Sequence, residues 1–294
     1  MTGYFCSPKA MEIEEVIVRS VWDSNLIEEF DEIKKYALLG YRVASFDTEF
    51  PGTIYGQYNK RRTPLDSYIH LKANVDATNI IQLGLTLYNG TNFIVWEFNF
   101  SDFNLKRGDL HNPVSVQLLK DNGLDFEKNV KDGIKSVDFA VLLASSGLVG
   151  NTSNMTWIGF HCAIDYGYMI KILTQEPLPT QLDDFLNLVW KYFGTNIYDL
   201  KYMMKYCNGL FGGLNRVADV LEVDRCVGSS HQAGSDSLLT MKTYIKIVPL
   251  FFAHLQSEQL YLMFSGLLFG FDDVQIQVAA SVPADSCYYA QIAY

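Results

Sequence analysis

The chain has 294 residues, 23 of them basic and 33 acidic, which gives a formal charge of −10 at pH 7. With 49% hydrophobic and 19% charged residues it is a packed globular chain, not a disordered one, and long enough to bury a sizeable core. The acidic balance excludes a protein held to nucleic acid by bulk positive charge.

In chain order, the first helix is predicted from Ser24 to Leu39. Leu26, Phe30, Ile33 and Ala37 fall on one face, Ser24 is placed to cap the start, and Gly40 stops the helix. Three strands are predicted next: Arg42 to Phe46, Asn79 to Leu87, and Phe93 to Phe100. The last two flank Asn89-Gly90, a strong hairpin signal. Gly52 to Ala77 reads as a long polar loop carrying Lys60, Arg61 and Arg62. Helices follow around Val114–Lys120, Val137–Ser145, Ile164–Thr174, Leu182–Phe193, Leu214–Leu221 and Ser235–Leu255, and Pro249 should kink or interrupt the last. Short apolar runs at Met155–Phe160 and Ile197–Tyr198 read as strands between them. An antiparallel start followed by strand–helix alternation predicts an α/β fold with a mixed sheet flanked by helices, in a ribonuclease-H-like arrangement. No repeat, low-complexity tract or linker is visible, so one domain is expected.

Cys6, Cys162, Cys207, Cys226 and Cys287 are scattered and form no CxxC pair, which argues against a disulfide framework and fits a reducing compartment. The N-terminal segment lacks an apolar export signal, and the uncharged stretch Leu260 to Phe271 is too short to span a bilayer. A cytoplasmic and nuclear location with no membrane partner is therefore expected. The Asn-x-Ser/Thr matches at Asn89, Asn99, Asn151 and Asn154 are expected to be silent.

Three segments carry the chemistry. In Ser45-Phe46-Asp47-Thr48-Glu49-Phe50, alternate residues of a strand point to one side, so Asp47 and Glu49 share a face and repel unless a cation sits between them. A solvated strand end would show the same pattern. In Phe160-His161-Cys162-Ala163-Ile164-Asp165, a strand turns into a helix with Asp165 in its first turn, where an acid also serves as a cap. The lone His161 reads as structural. In His231-Gln232-Ala233-Gly234-Ser235-Asp236, five residues of helix turn about 140°, too much for one shared face on a common side. His231 is therefore placed on a loop and Asp236 at a helix start, a pairing that suits a general base beside a metal ligand.

Jointly, the order Asp-x-Glu, Asp, His-x4-Asp resembles the DEDD exonuclease superfamily in its His-containing branch. The text around it (FDTEFPG, NIIQLGLTL, FHCAIDYGYMIKIL, Tyr198-Asp199-Leu200-Lys201-Tyr202, HQAGSDSLLT, and VWDSNLIEEF near the start) resembles the CAF-one/POP-two deadenylases, the poly(A)-specific ribonuclease subunits of the CCR–NOT complex. The likeness places an exonuclease domain at 13–271, an extension at 1–12 and a tail, expected to be mobile, at 272–294. It implies 3′→5′ hydrolysis of poly(A) with release of 5′-AMP, aided by two divalent ions, Mg²⁺ or Mn²⁺. Asp47 would bridge the ions, Glu49 and Asp236 would hold the first, Asp165 would help hold the second, and His231 would be the base. It further implies a NOT-type scaffold and a second nuclease subunit as partners, with the poly(A) 3′ end as substrate.

For substrate contacts, Phe50 and Tyr58 are candidate stacking surfaces and Lys60, Arg61 and Arg62 candidate phosphate contacts, whereas Phe160 reads as core. Ile164 departs from the family's aromatic beside the third acid, Cys162-Ala163 departs in the same turn, and the text from Gly52 to Ala77 is unlike the usual one. Two alternatives stand beside the leading reading: a DEDD exonuclease on another nucleic acid, and a non-catalytic scaffold subunit.

Overall fold

The computed structural model describes Val16 and residues 18–56, 63–150 and 153–271. Tyr58, Lys60, Arg61, Arg62, the extension at 1–12 and the tail at 272–294 lie outside the described residues. The chain runs β1 (Val18–Val21), α1 (Leu26–Leu38), β2 (Val43–Glu49), α2 (Pro64–Ala77), β3 (Gln82–Tyr88), β4 (Phe93–Asn99), α3 (Pro113–Asp121), α4 (Phe126–Asp132), α5 (Ser136–Ser145), β5 (Thr156–Gly159), α6 (Ala163–Thr174), α7 (Leu182–Phe193), β6 (Ile197–Asp199), α8 (Leu200–Met203), α9 (Leu214–Val220), α10 (Ala233–Phe251) and α11 (Ser257–Phe264).

The strands form one mixed sheet in the order β1-β4-β3-β2-β5-β6, with β2–β3 and β3–β4 antiparallel and the remaining pairs parallel. One face carries the larger core, where Phe30 of α1, Phe46, Trp96, Trp157, Tyr166 of α6 and Phe193 of α7 are fully or almost fully buried. On the other face α10 lies across the sheet, and Met241, Tyr244 and Ile247 pack with Ile158, Tyr198 and Phe264 of α11. Both faces of the central strands are covered, which is why β3 is buried along nearly its whole length. The expected α/β fold with a mixed sheet is therefore the one observed.

Several boundaries differ from the sequence reading. The supposed loop from Gly52 to Ala77 holds a helix over its second half: Thr63 caps α2 by accepting the Asp66 N–H, Pro64 sits at its first position, and Tyr68, Leu71 and Val75 are buried. The polar composition hides that stripe, since exposed Leu65 and Ile69 blur the periodicity. Ser24 does not cap α1, because it lies within a 3₁₀ turn, Asp23–Asn25, and the Asn25 side chain instead accepts the Trp22 N–H at 2.8 Å. Pro249 falls in the last turn of α10, where the helix runs on to Phe251 and ends with the Phe252 N–H on the Val248 carbonyl. The edge strand β1 is too short for a period-2 signal, and it pairs parallel to β4. Among the described residues no helix is long and apolar enough to cross a membrane.

Candidate active site

The site is built at the C-terminal end of β2. Ser45, Asp47 and Glu49 alternate onto the face covered by α10, and the Ser45 hydroxyl donates to the Ser237 carbonyl at 2.7 Å. The strand reaches Glu49, further than its apolar run suggests, so both acids are held in regular pairing with β3, Asp47 opposite Gly84 and Glu49 opposite Gln82.

The first turn of α10 is clamped onto this surface by side chains of the sheet. Gln82 Oε1 accepts the Ala233 N–H at 2.9 Å, and Glu97 Oε2 accepts the Gly234 N–H at 3.2 Å, occupying donors that a helix start leaves free. Asp236 follows in the same turn, where the macrodipole favours a carboxylate. Its Oδ2 accepts the His231 N–H at 2.9 Å, and its Oδ1 takes the Arg225 guanidinium at 2.5 Å. His231 lies on the preceding loop with φ of 63°, a left-handed conformation, and is half-buried. Ligand atoms of Glu49, His231 and Asp236 all lie within 4.8 Å of one another.

Asp165 comes from the other side of the sheet, in the first turn of α6. Its Oδ1 accepts two bonds from one residue of β2, from the Thr48 N–H at 3.0 Å and the Thr48 hydroxyl at 2.5 Å. The turn that launches α6 is held by buried Asp199, which accepts the N–H groups of His161 at 2.8 Å and Cys162 at 3.3 Å, and that of Phe269 at 3.0 Å.

Loss of water and mutual repulsion act on these acids together. Burial raises the Asp47 carboxyl well above its ordinary range, and Asp165, Glu49 and Asp236 raise it further, with Arg225 opposing them. Burial, then Asp236, Asp165 and Glu97, push Glu49 up to about 8. Burial pushes Asp165 up to about 6, restrained by the two Thr48 bonds. An acid cluster under such strain is a place where divalent cations bind favourably.

All five residues singled out as catalytic therefore gather at this end of β2. Phe50 stacks on Tyr168 with ring centroids 5.1 Å apart, and both it and Ile164 are half-buried against the larger core. Phe160 packs with the smaller core and lies under the Lys201 ammonium. Exposed His161 sets its ring edge-on to Phe269 at 5.1 Å, outside the Glu49–His231–Asp236 cluster. Thr48, Gln82, Glu97, Asp199 and Arg225 escaped the sequence reading. Of these, Thr48, Gln82 and Asp199 lie in quoted motifs and Glu97 and Arg225 do not, but the partners of all five are distant in the chain and leave no local signal.

A CAF1 family ribonuclease model matches residues 21–138 and 145–243, most of the chain. The chain belongs to the CAF1 ribonuclease family. Within that family it is 39% identical over 272 residues to probable CCR4-associated factor 1 homolog 10 of Arabidopsis thaliana, covering 89% of this chain and 95% of the relative. It is 41% identical over 236 residues to the poly(A) ribonuclease pop2 of Schizosaccharomyces pombe, covering 78% and 69%. The solved structure of S. pombe Pop2p in its Mg²⁺- and Mn²⁺-bound form superposes with a TM-score of 0.76 at 38% identity, over 86% of this chain and 99% of that one. A yeast CAF1 structure, co-crystallised with the NOT1 MIF4G domain, superposes with a TM-score of 0.68 at 29% identity, over 90% and 100%.

Proposed function

We propose that this ribonuclease-family chain is a 3′→5′ exoribonuclease that shortens poly(A) tails by two-metal-ion phosphodiester hydrolysis, releasing 5′-AMP as the catalytic subunit of a CCR–NOT-type complex. The observation that carries the reading is the convergence of Glu49, His231 and Asp236 within 4.8 Å at a strand end shared with Asp47 and Asp165.

The donors fit hard divalent ions. The four acids offer carboxylate oxygens, a set that suits Mg²⁺ or Mn²⁺, and the nearby imidazole of His231 is left for the proton. The raised carboxyls also favour a bound cation, because protons are otherwise needed to relieve the repulsion. The metal-bound Pop2p neighbour supports the same choice. Asp47 would bridge the two ions, Glu49 and Asp236 would hold the first, and Asp165 would help hold the second. When bound, such a pair stabilises the attacking and leaving oxygens of an in-line displacement. His231 then takes the proton of the attacking water at an imidazole nitrogen, while its backbone stays tied to Asp236. Thr48 and Asp199 hold Asp165 and its turn in place as charge moves.

The substrate in this proposal is the 3′ end of poly(A) RNA, which the activity named for the S. pombe relative supports. The partners are a NOT-type scaffold, supported by the yeast complex, and a second nuclease subunit, in the cytoplasm and nucleus. The test is to incubate the purified chain with end-labelled RNAs ending in A, U or C, with Mg²⁺ or Mn²⁺. A ladder from the 3′ end of the A-tailed RNA, abolished in Asp47→Ala, is expected. Equal trimming of every tail would point to a DEDD exonuclease of other substrate, and no trimming in either metal to a non-catalytic scaffold subunit.

A further inference from the structure

One cation is built into the acid cluster. Arg225 lies on the loop between α9 and α10, half-buried, and its guanidinium makes four hydrogen bonds. Nη2 donates to Asp236 Oδ1 at 2.5 Å and to Asn215 Oδ1 of α9 at 2.7 Å. Nη1 donates to the Ser229 carbonyl at 3.2 Å and to the Ser235 hydroxyl. One planar group thus joins three pieces of chain: the start of α9, the loop two residues before His231, and the first turn of α10.

The surrounding bonds close the same loop. Asn215 Nδ2 donates to the Ser230 hydroxyl at 2.9 Å, Ser235 Oγ donates to the Val227 carbonyl at 2.6 Å, and the Ser229 N–H reaches Gln232 Oε1 at 3.0 Å. Within this frame His231 keeps a left-handed backbone and gives its N–H to the second oxygen of Asp236. Such a conformation costs about 1 kcal/mol or more for a residue other than glycine, so neighbouring bonds must over-determine it. A guanidinium presents donors in a fixed fork, whereas a lysine offers a point charge that cannot hold four acceptors in this geometry.

We infer that Arg225 is a positioning residue for the hydrolysis: it acts through Asp236 and the 226–232 loop, aiming one carboxylate at the Glu49 side and holding His231 over it. The partners of the Arg225 guanidinium are Ser229, Ser235, Asn215 and Asp236, so in this inference it acts through other groups. Its fork orients them, and it offsets part of the repulsion that Asp236 exerts on Asp47. The inference rests on the function proposed above, and its test separates the two.

The experiment compares wild type with Arg225→Lys, Arg225→Met and Asn215→Ala, measuring kcat and KM on A-tailed RNA and amide hydrogen exchange in the metal-free protein. A displacement of about 1 Å at such a site costs on the order of a hundredfold in rate. Expected is a fall in kcat of at least about thirtyfold in both Arg225 variants, with KM within about threefold of wild type, and a smaller fall in Asn215→Ala. Exchange at the amides of Ser229 to Gln232 should quicken by about tenfold while the middle of α10 keeps its protection. Wild-type kcat in Arg225→Lys would overturn the inference, since charge alone would then suffice. Unchanged loop exchange in Asn215→Ala and Arg225→Lys would overturn it too, as would a fall in kcat accompanied by a large rise in KM and loss of α10 protection, which marks a merely structural role. If the wild type trims no RNA, the proposed function fails, and the exchange data alone decide whether Arg225 holds the loop.

Discussion

The carbonyl of Ala233 rests directly on Gly84: a β-carbon at Gly84 would stand 1.9 Å from that oxygen and 2.5 Å from the Gly234 nitrogen. Gly84 pairs with Asp47 on β2 and with Glu97 on β4, so the first turn of α10 seats between two acids on the strands either side of β3. The close approach brings Asp236 to the level of Asp47 and Glu49.

Gly84→Ala should therefore act through the helix and not through the strand. The obstructing atoms are backbone and cannot swing aside, so α10 must lift. We expect a loss of about 1–3 kcal/mol in denaturant unfolding, typical of overpacking, with a larger effect on activity, about a hundredfold in kcat. Wild-type turnover in this variant would show that the helix start can shift without displacing Asp236.

Thr48→Val tests the second shelf of the site. Valine keeps the β-branched shape and the backbone bond to Asp165 at 3.0 Å, and deletes only the hydroxyl bond. A hydrogen bond to a charged group contributes about 1.5–3 kcal/mol, and about 1.4 kcal/mol is a tenfold change in affinity. The Mg²⁺ concentration for half-maximal activity should rise about tenfold, with kcat at saturating Mg²⁺ within a few-fold of wild type. An unchanged Mg²⁺ midpoint would separate Thr48 from metal binding.

The raised carboxyls set a pH dependence in the metal-free protein. Glu49, at about 8 in the folded chain against an ordinary 4.5, binds its proton more tightly when folded. Its contribution to stability is fully present below about 4.5 and is lost as pH climbs toward about 8, where the folded state must give up the proton too. In EDTA, Glu49→Gln should melt close to wild type near pH 4.5 and several degrees higher near pH 8, a gap that added Mg²⁺ narrows by stabilising only the ionised wild-type cluster. Parallel melting curves for the two proteins across this range would remove the strain ascribed to Glu49.

Much of the fold was legible because it rests on local patterns. The amphipathic stripe Leu26–Phe30–Ile33–Ala37, the Asn89-Gly90 hairpin and the apolar runs of β3 and β4 each declare themselves within a dozen residues. The helix α2 did not, since its buried Tyr68, Leu71 and Val75 are diluted by charged and exposed neighbours, and its meaning depends on the surface it covers. The spacing of the five acid and imidazole residues, together with the text around them, already pointed to the family.

The sequence by itself determined which side chains are present and on what kind of element each sits: Asp47 and Glu49 on one strand face, Asp165 and Asp236 at helix starts, His231 on a turn. Only the tertiary structure decided how they meet. Thr48 reaches Asp165 across 117 positions of chain, Gln82 holds the Ala233 N–H across 151, and Gly84 lets a helix backbone touch a strand. Such contacts follow from close packing in three dimensions, where the position of each backbone is set by what it must not overlap. Arg225 shows the difference most sharply. In the sequence it is one basic residue in an acidic chain, and in the fold it is the cation that joins Asp236 to the loop of His231.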